Sequence, residues 1–308
     1  MAGRSVDGRS DQRVTVTIDR RTLSLSNLEK VMFPETGFTK AQVIDYYVRV
    51  AVAMIPHVEQ RCMTMRRWPD GVEGQSFFNK RCPDHRPDWI ATSEGPGDRN
   101  GTIGYCRVDE PAALVWTANM ASIELHAPMA KAADIDAPTM VVFDLDPGEG
   151  VGITECAQVA MLANDVLAAV GLEAVAKTSG SKGLQVYVPL NTAHTHHQAS
   201  DFARAVGQLL TKQHPKKVLV DMSKKLRAGK VFVDWSQNSR HKTTVAAYSL
   251  RARSRPMVST PLSWDEVSNG ADGTPLSFTS DDVIERVAKS GDLFAPAANL
   301  RQELPVAG

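Results

Sequence analysis

The sequence predicts a soluble α+β protein in which buried strands and amphipathic helices follow one another without a fixed repeat. Two observations support this prediction. Apolar runs such as 138–146 and 231–235 are closed by acidic residues and turns, which is typical of buried strands. Apolar residues recur at helical spacing in 154–170 and 199–213. No internal repeat is found, so a solenoid is excluded.

The composition excludes several classes of protein. The 308 residues include 35 Lys and Arg and 35 Asp and Glu, so the formal net charge is zero and any nucleic-acid binding must come from local patches. No apolar run approaches the roughly 20 residues of a membrane helix. The polar start of the chain lacks the apolar segment of a signal peptide. Four scattered cysteines suit a reducing compartment and argue against a disulfide scaffold. We expect a cytoplasmic protein that does not bind membranes.

The N-terminal half begins with a polar segment, 1–13, which predicts a disordered lead-in. Apolar and polar residues then alternate over 14–18, as in a short strand. Thr39 can cap a helix that extends to Pro56. The Gly-rich, polar segment 91–104 predicts a surface loop.

The C-terminal half contains the more regular pattern. A buried strand over 138–146 is followed by a helix that Thr154 begins and Gly171 ends. The other elements predicted here are strands over 173–177 and 184–188, a helix over 199–213, strands over 231–235 and 245–250, and a short helix from Asp281. Polar residues are concentrated at the ends of the strands.

The sharpest chemical feature is the pair Asp144 and Asp146 at the end of an apolar strand. Side chains two residues apart point to the same face of a strand, so the two carboxylates converge. Like charges held so close repel each other unless a cation lies between them, and a divalent metal ion meets that need. The alternative is that one carboxylate caps the turn and the other is solvated. Asp234 ends a second apolar strand, and three acids at strand ends are typical of phosphoryl transfer with two metal ions.

The turn Thr-Ser-Gly-Ser-Lys-Gly, 178–183, is suited to bind phosphate. Its glycines allow close approach of the backbone, its N–H groups and hydroxyls donate hydrogen bonds, and Lys182 adds positive charge. The spacing is not that of a P-loop. An ordinary hairpin turn is the alternative, but beside the acids this segment predicts a triphosphate site.

Positive charge is concentrated in two segments on either side of Asp234. Residues 216–230 carry six Lys and Arg against one acid, and residues 240–255 carry five Lys and Arg and no acid. Such runs are usually solvated faces, but near a metal site they suit nucleic acid or a nucleoside triphosphate. Phe77 and Phe78 can stack on a base, although an aromatic pair more often lies in a core. The cysteines lack the paired spacing of a structural zinc site.

Three segments, VVFDLDPGEG, TSGSKGLQVYVPL and KVFVDWSQN, resemble in this order the motifs of the archaeo-eukaryotic primase superfamily. More closely, they resemble the polymerase domain of bacterial DNA ligase D, an enzyme of non-homologous end joining. The likeness extends over nearly the whole chain, through RRWPDGVEGQSFFNK, ASIELHAP and KTTVAAYSLRAR. It implies a primase-polymerase fold, with an RRM-like catalytic sheet packed against an N-terminal α/β lobe. Residues 14–308 would form one domain of two intimate lobes.

The resemblance also implies roles for individual residues. The catalytic metal ligands would be Asp144, Asp146 and Asp234, which would hold two Mn²⁺ or Mg²⁺ ions. The nucleotide would be bound by Arg66, Phe78, His126, Ser179, Lys182, Gln185, Arg251 and Arg253, with Phe78 stacked on the incoming base. Asn27, Lys30 and Lys40 would bind the 5′-phosphate of a downstream strand. Arg227 and Lys224 would hold the template and the 3′ end.

Two features depart from the family's pattern. The second motif ends in Gln185 where the family has histidine, and the segment between His126 and Asp144 is short. A shortened loop usually alters how template ends are held. The chain has no K-x-D-G ligase motif, so it resembles a stand-alone polymerase unit or one domain of a larger protein.

We therefore expect a template-directed DNA/RNA nucleotidyltransferase that fills gaps or extends ends at DNA breaks, with a preference for ribonucleotides. Its partners would be DNA with a 5′-phosphate, NTP or dNTP, an end-binding protein and a DNA ligase acting in trans. Its location would be the bacterial cytoplasm, at the nucleoid. A primer-independent primase and a non-catalytic module that binds DNA ends are the alternatives.

Overall fold

The computed structural model describes residues 13–97 and 101–305. Except for residue 13, the predicted lead-in over 1–13 lies outside the described residues. Within the described part, a six-stranded sheet and a four-stranded sheet are accompanied by two-stranded ribbons and seven α-helices. No helix in that part is long and apolar enough to cross a membrane.

The strands are short and are interspersed with the helices. In chain order the strands are β1 (Val14–Ile18), β2 (Arg21–Leu25), β3 (Val31–Phe33), β4 (Phe38–Thr39), β5 (Thr64–Arg67), β6 (Phe77–Asn79), β7 (Thr92–Pro96), β8 (Thr102–Cys106), β9 (Ser122–Pro128), β10 (Ala130–Lys131), β11 (Asp134–Pro138), β12 (Met140–Pro147), β13 (Val175–Thr178), β14 (Leu184–Pro189), β15 (Val218–Leu219), β16 (Val231–Asp234), β17 (Thr243–Val245), β18 (Leu250–Ala252), β19 (Pro256–Val258) and β20 (Pro261–Leu262). The helices are α1 (Lys40–Val58), α2 (Pro111–Asn119), α3 (Ile153–Ala169), α4 (His196–Gln213), α5 (Trp264–Ala271), α6 (Ser280–Ser290) and α7 (Ala295–Asn299). Short 3₁₀ helices, Lys224–Leu226 and Trp235–Asn238, precede and follow β16.

The six-stranded sheet has the order β15-β16-β12-β14-β13-β20. Its neighbouring strands are antiparallel except for the parallel pair β15 and β16. Val141, Phe143 and Leu145 alternate along β12 and point to one face, where they share a hydrophobic core with α3, α4 and α5. This face is therefore closed by helices.

The opposite face of the same sheet changes from apolar to polar along the strands. Val142 and Tyr187 belong to the hydrophobic core that includes α1 and α2. Further along the same strands and on the same face lie Asp144, Asp146 and Gln185. The polar part of this face borders a cleft.

The four-stranded sheet, β17-β9-β5-β6, is antiparallel and provides the other wall of the cleft. Ile123 and Leu125 of β9 point into the N-terminal core. Glu124 and His126 alternate with them and point to the other face. Arg66 of β5 lies directly opposite Glu124 in the register.

Most predicted elements are confirmed to within a few residues, but three predictions are wrong. The predicted loop 91–104 contains β7 and the start of β8, which pair with each other, and a Cβ at Gly95 would lie 2.9 Å from the Tyr105 ring. The predicted strand 245–250 is interrupted after Val245, since Tyr248 has a φ of 66° and turns the chain. Trp235 starts a 3₁₀ helix instead of ending the strand.

The cysteines also differ from the expectation. Cys82 and Cys106 form a disulfide, whereas Cys62 and Cys156 are free and buried. Cys106 lies in β8 and Cys82 lies in the segment between β6 and β7. The disulfide therefore connects two segments that are 24 residues apart in the sequence. Spacing alone did not indicate this pair.

The side chain of Asn238 forms hydrogen bonds with the backbone of the central strand β12, at a point beyond the end of β16. Its side chain accepts a hydrogen bond from the Val142 N–H and donates one to the Val142 carbonyl, each at 2.8 Å. It also donates to the carbonyl of Trp235 at 2.9 Å. Asn238 is fully buried, so no water competes for these bonds. The amide thereby continues the ladder two residues before Asp144.

We expect Asn238→Ala to lower the free energy of unfolding by about 2–6 kcal/mol, because it leaves the buried N–H and carbonyl of Val142 without partners at about 1–3 kcal/mol each. Urea denaturation followed by circular dichroism measures this change. Asn299→Ala is the matched control, since Asn299 is exposed at the end of α7 and surface substitutions usually stay within about 0.5 kcal/mol. Equal stability of the two variants would contradict the role of Asn238.

Candidate active site

The acidic residues lie on one face of the six-stranded sheet. Asp144 of β12 is directly opposite Asp234 of β16 in the register, and Asp146 follows two residues later on the same face as Asp144. The sequence could not establish that these two strands pair, and the structure does. On its other side Asp144 is opposite Gln185 of β14.

Burial and neighbouring acids raise the pKa values of Asp144 and Asp146. Burial, the neighbouring Asp146 and Asp234 raise the pKa of Asp144, against a hydrogen bond from Gln185 that lowers it. Burial and Asp234 likewise raise the pKa of Asp146, while Arg227 lowers it. The negative charge of this face is therefore only partly compensated by the protein, which is the electrostatic condition for binding a divalent cation.

The carboxylate of Asp234 is held by its own chain segment. It accepts hydrogen bonds from the Ser236 N–H at 2.9 Å, the Ser236 hydroxyl at 2.6 Å and the Gln237 amide at 3.2 Å. Among the described residues, no three His, Cys, Asp or Glu side chains have an arrangement that could hold a metal ion. The oxygen chemistry of the donor set fits Mg²⁺ or Mn²⁺, and Asp144 and Asp146 are the two acids that line the cleft.

The turn between β13 and β14 reaches the same cleft. The Ser179 hydroxyl accepts hydrogen bonds from the Gly183 N–H at 3.1 Å and the Ser181 N–H at 3.3 Å. Gly180 has a φ of 64°, and a Cβ there would lie 2.6 Å from both the Val258 carbonyl carbon and the Arg251 side chain. Only glycine fits this position, so the turn is held tightly against β19 and Arg251.

Glu124 organises the positive residues of the cleft. It is 2% exposed and accepts hydrogen bonds from Arg251 Nε at 3.0 Å and the Ala252 N–H at 3.1 Å. His126 Nε2 also lies 3.0 Å from its carboxylate. Hydrogen bonds and charge from His126 and Arg251 lower the pKa of Glu124 to about 2, against the effect of burial. Glu124 was missed by the sequence analysis, although its position two residues before His126 places both on one face of β9.

The arginines connect this carboxylate to the turn. Arg251 donates to the Ser179 carbonyl, and Arg253 donates to the Ser181 hydroxyl. Arg66, which lies opposite Glu124 in the register, has its guanidinium 5.1 Å from the centre of the Phe78 ring. A continuous series of contacts thus extends from Phe78 on β6 through Arg66, Glu124 and Arg251 to the turn.

Phe78 is not a core residue. Its ring is 56% exposed and contacts His126 edge to face, with 5.7 Å between ring centres. An exposed ring next to a cleft is available for stacking on a planar group.

A cleft of about 470 Å³ brings most of these side chains together. Nine residues from the sequence-based prediction line it: His126, Asp144, Asp146, Ser179, Lys182, Gln185, Arg227, Arg251 and Arg253. Of the residues predicted for the metal, nucleotide and template sites, four are not part of its lining: Arg66, Phe78, Lys224 and Asp234. Thr243 and Thr244 of β17 complete the wall and were not predicted.

Arg227 and Lys224 lie in the segment before β16. The Arg227 guanidinium is 3.6 Å from the centre of the Phe232 ring and lines the cleft near Asp146. Lys224 begins an exposed 3₁₀ helix. The exposed Met222 and Leu226 border these basic residues.

Asn27, Lys30 and Lys40 form a separate basic site. The backbone joins them, since the Lys30 N–H donates to the Asn27 carbonyl at 3.0 Å and the Lys40 N–H donates to the Lys30 carbonyl at 2.8 Å. The Lys40 ammonium is buried and donates to the Ser26 carbonyl at 2.6 Å. Burial, with the charges of Lys30 and Arg67, lowers the pKa of Lys40 to about 8. None of the three lines the cleft of Asp144.

Three comparisons place the chain among known proteins. The model of the family "LigD, primase-polymerase domain" matches residues 39–294. The multifunctional non-homologous end joining protein LigD of Mycolicibacterium smegmatis is 42% identical over 285 residues, covering 92% of this chain and 36% of that protein. The bifunctional LigD of Bacillus subtilis is 30% identical over 273 residues, covering 88% of this chain and 43% of that protein. The chain thus spans well under half the length of these relatives.

A solved structure extends the likeness to the fold. The polymerase domain of Mycobacterium tuberculosis ligase D, in complex with DNA, superposes with a TM-score of 0.85 and 40% identity. The match covers 90% of this chain and 98% of that chain, so the two sheets have the arrangement of the primase-polymerase fold. This chain belongs to the LigD primase-polymerase domain family.

Proposed function

We propose that this chain is a template-directed nucleotidyltransferase that fills gaps or extends ends at DNA breaks. One observation carries the proposal: Asp144 and Asp146 share a single cleft with the Ser179–Gly183 turn and three arginines. Negative and positive groups that line one cleft suit a reaction in which metal-bound phosphates meet a hydroxyl nucleophile. We take residues 14–308 as one catalytic domain of two lobes.

Two divalent ions, Mn²⁺ or Mg²⁺, would be held by Asp144, Asp146 and Asp234. When bound, such ions neutralise phosphate charge and lower the pKa of a coordinated hydroxyl. The partly uncompensated charge on Asp144 and Asp146 supports this assignment. Asp234 would have to exchange its hydrogen bonds to Ser236 and Gln237 for a place at the metal.

Residues on both sides of the cleft would bind the nucleotide. Lys182, Arg251 and Arg253 would neutralise the triphosphate, with Ser179, His126 and Gln185 as hydrogen-bonding partners. Phe78 would stack on the base, and Arg66 would support its ring through the contact described above. Because Glu124 holds Arg251 and His126 in place, the triphosphate would meet oriented donors.

DNA would contact two further places on the molecule. Arg227 and Lys224 would hold the template and the 3′ end beside the acids. Asn27, Lys30 and Lys40 would bind the 5′-phosphate of the downstream strand through charge-assisted hydrogen bonds. Lys30 would then exchange its ion pair with Asp70 for the phosphate. The Mycobacterium tuberculosis domain was solved in complex with DNA, which supports this part of the proposal.

The family membership also motivates the finer expectations. We propose a preference for ribonucleotides, an end-binding protein and a DNA ligase in trans as partners, and a location at the bacterial nucleoid. A DNA ligase is a reasonable partner because the named relatives act in non-homologous end joining and are longer than this chain.

The first test is extension of a primer on a gapped duplex with labelled NTP or dNTP in Mn²⁺ or Mg²⁺. We expect wild-type protein to add nucleotides, with higher kcat/KM for NTP. Asp144→Asn should lower the rate by more than about 100-fold. Loss of a residue that only hydrogen-bonds to a metal ligand already lowers metal affinity or activity by about 10–100-fold. Without metal its thermal stability should hold or rise, because the substitution relieves repulsion between carboxylates.

Asp165→Asn is the matched control, since Asp165 is exposed on α3, which packs on the other face of the sheet. Near-wild-type extension by Asp144→Asn would overturn the metal assignment. Failure of the wild type to extend any primer, with DNA binding intact, would instead favour the non-catalytic module. Products made on a template without primer would favour the primase.

The second test uses the pH dependence of binding to the downstream end. The positive charge of Lys40 is present below its pKa of about 8 and is lost above it, while a terminal phosphate keeps its second charge above about pH 7. We expect the affinity advantage of a 5′-phosphate gap over a 5′-hydroxyl gap to fall roughly 10-fold between pH 7 and 9.5, as a charge-assisted hydrogen bond is lost. Fluorescence anisotropy at constant ionic strength measures it.

Lys40→Met should show a small advantage for the 5′-phosphate at every pH. The 5′-hydroxyl duplex reports on all other pH effects within the same protein. An advantage in wild type that stays constant up to pH 9.5 would remove Lys40 from the phosphate pocket.

A further inference from the structure

Lys177 is a buried lysine that neither the sequence motifs nor the proposed mechanism uses. It lies on β13 directly opposite Gln185, which in turn lies directly opposite Asp144 on β12. The three side chains therefore form a row across adjacent strands, on the face that borders the cleft. Lys177 is 1% exposed. Burial lowers the pKa of Lys177. A buried lysine without hydrogen-bonding partners would destabilise the fold, so its contacts matter here.

The contacts of the ammonium are few and specific. Lys177 Nζ donates to Gln185 Oε1 and, at 2.7 Å, to the Ser259 hydroxyl. It also lies 5.5 Å from the centre of the Tyr187 ring. An ammonium group carries only donors, so the amide atom that faces it has to be the carbonyl oxygen.

This contact decides which end of the amide faces Asp144. The Gln185 Nε2 group donates to Asp144 Oδ1 at 3.0 Å. A side-chain amide rotated by 180° has nearly the same shape. In this site, however, the rotated amide would point N–H groups at the ammonium and an oxygen at the carboxylate. Both contacts would become repulsive, so Lys177 and Asp144 select the same orientation from opposite sides.

Tyr187 does not make this selection. Its hydroxyl lies 3.0 Å from Gln185 Oε1 and 2.9 Å from the Thr244 hydroxyl. A hydroxyl can donate or accept, so it tolerates either end of the amide. Tyr187 therefore provides a matched control within the same cluster.

The geometry points to Lys177 as a positioning residue that fixes the Gln185 amide with its NH₂ group toward Asp144, and so holds that carboxylate in its cleft-facing orientation. The inference deepens the proposed function and rests on it for its effect on turnover. The arrangement itself can be measured without turnover.

The kinetic test compares Lys177→Met, Tyr187→Phe, Gln185→Leu and the double variant Lys177→Met/Gln185→Leu in primer extension. We expect Lys177→Met to lower kcat about 10-fold with the nucleotide KM changed less than about 2-fold, because the metal-binding carboxylate loses its orientation. Tyr187→Phe should stay within about 2-fold of wild type. In the Gln185→Leu background, Lys177→Met should add less than about 2-fold, since the two residues act as one unit.

The structural test observes the side-chain amide of Gln185 by NMR with ¹⁵N-glutamine labelling, the signal being assigned by its loss in Gln185→Leu. In wild type without nucleotide, we expect its protons to exchange slowly with water. Exchange should be roughly 10-fold faster in Lys177→Met and unchanged in Tyr187→Phe. Thermal melts verify that the variants are folded, which is expected because the substitution removes a buried charge.

Fast exchange of this amide in wild type would overturn the inference without any variant. So would additive effects of the two substitutions on kcat, or a larger loss in Tyr187→Phe than in Lys177→Met. If the wild type extends no primer but the exchange pattern is as expected, the proposed function fails and the positioning contact stands.

Discussion

Across β14, β12 and β16, the residues Gln185, Asp144 and Asp234 lie in register on one face of the sheet. A slip of one residue would turn these polar side chains into the core under α3 and α4 and bring Leu145 into the cleft. The register is held on one side by β14 and on the other by β16, with Asn238 continuing the ladder where β16 ends. The chemistry of the cleft therefore depends on backbone pairing some distance from it, and apolar residues on the opposite face enforce that pairing.

The four-stranded sheet, which forms the other wall of the cleft, also carries a row of side chains in register across three strands. Phe78, Arg66 and Glu124 form a row across β6, β5 and β9. Glu124 is the only carboxylate described in that row, and it holds Arg251, whose guanidinium also reaches the Ser179 carbonyl in the other sheet. One buried carboxylate thus joins the two sheets through a positive side chain. This arrangement holds the Arg251 side chain between Glu124 and the turn, at the lining of the cleft.

Sequence patterns predicted the features that depend on local periodicity. The shared face of Asp144 and Asp146 follows from the period of a strand, and the cap at Thr39 follows from its side chain. The features they missed depend on partners distant in sequence. The roles of Lys177 and Glu124 depend on contacts with β14 and β18, which the sequence pattern does not show. The pairing of Cys82 with Cys106 likewise depends on where the fold places β8. The pattern also predicts a strand through Tyr248, whose backbone is left-handed in the structure. Tyr248 makes contacts that are distant in sequence, including the hydrogen bond from its hydroxyl to Asp292, and the pattern does not show them.

The glutamine at position 185 can be understood from this row. A histidine in its place would bring a ring nitrogen that can carry a charge next to Asp144. Glutamine brings a neutral amide, but the amide has a donor end and an acceptor end, and the row uses both. A titratable cation lies one strand further away, at Lys177, and the oriented amide lies between Lys177 and Asp144. The row thus places Lys177 on the side of Asp144 away from Asp234, with the Gln185 amide between the lysine and the carboxylate.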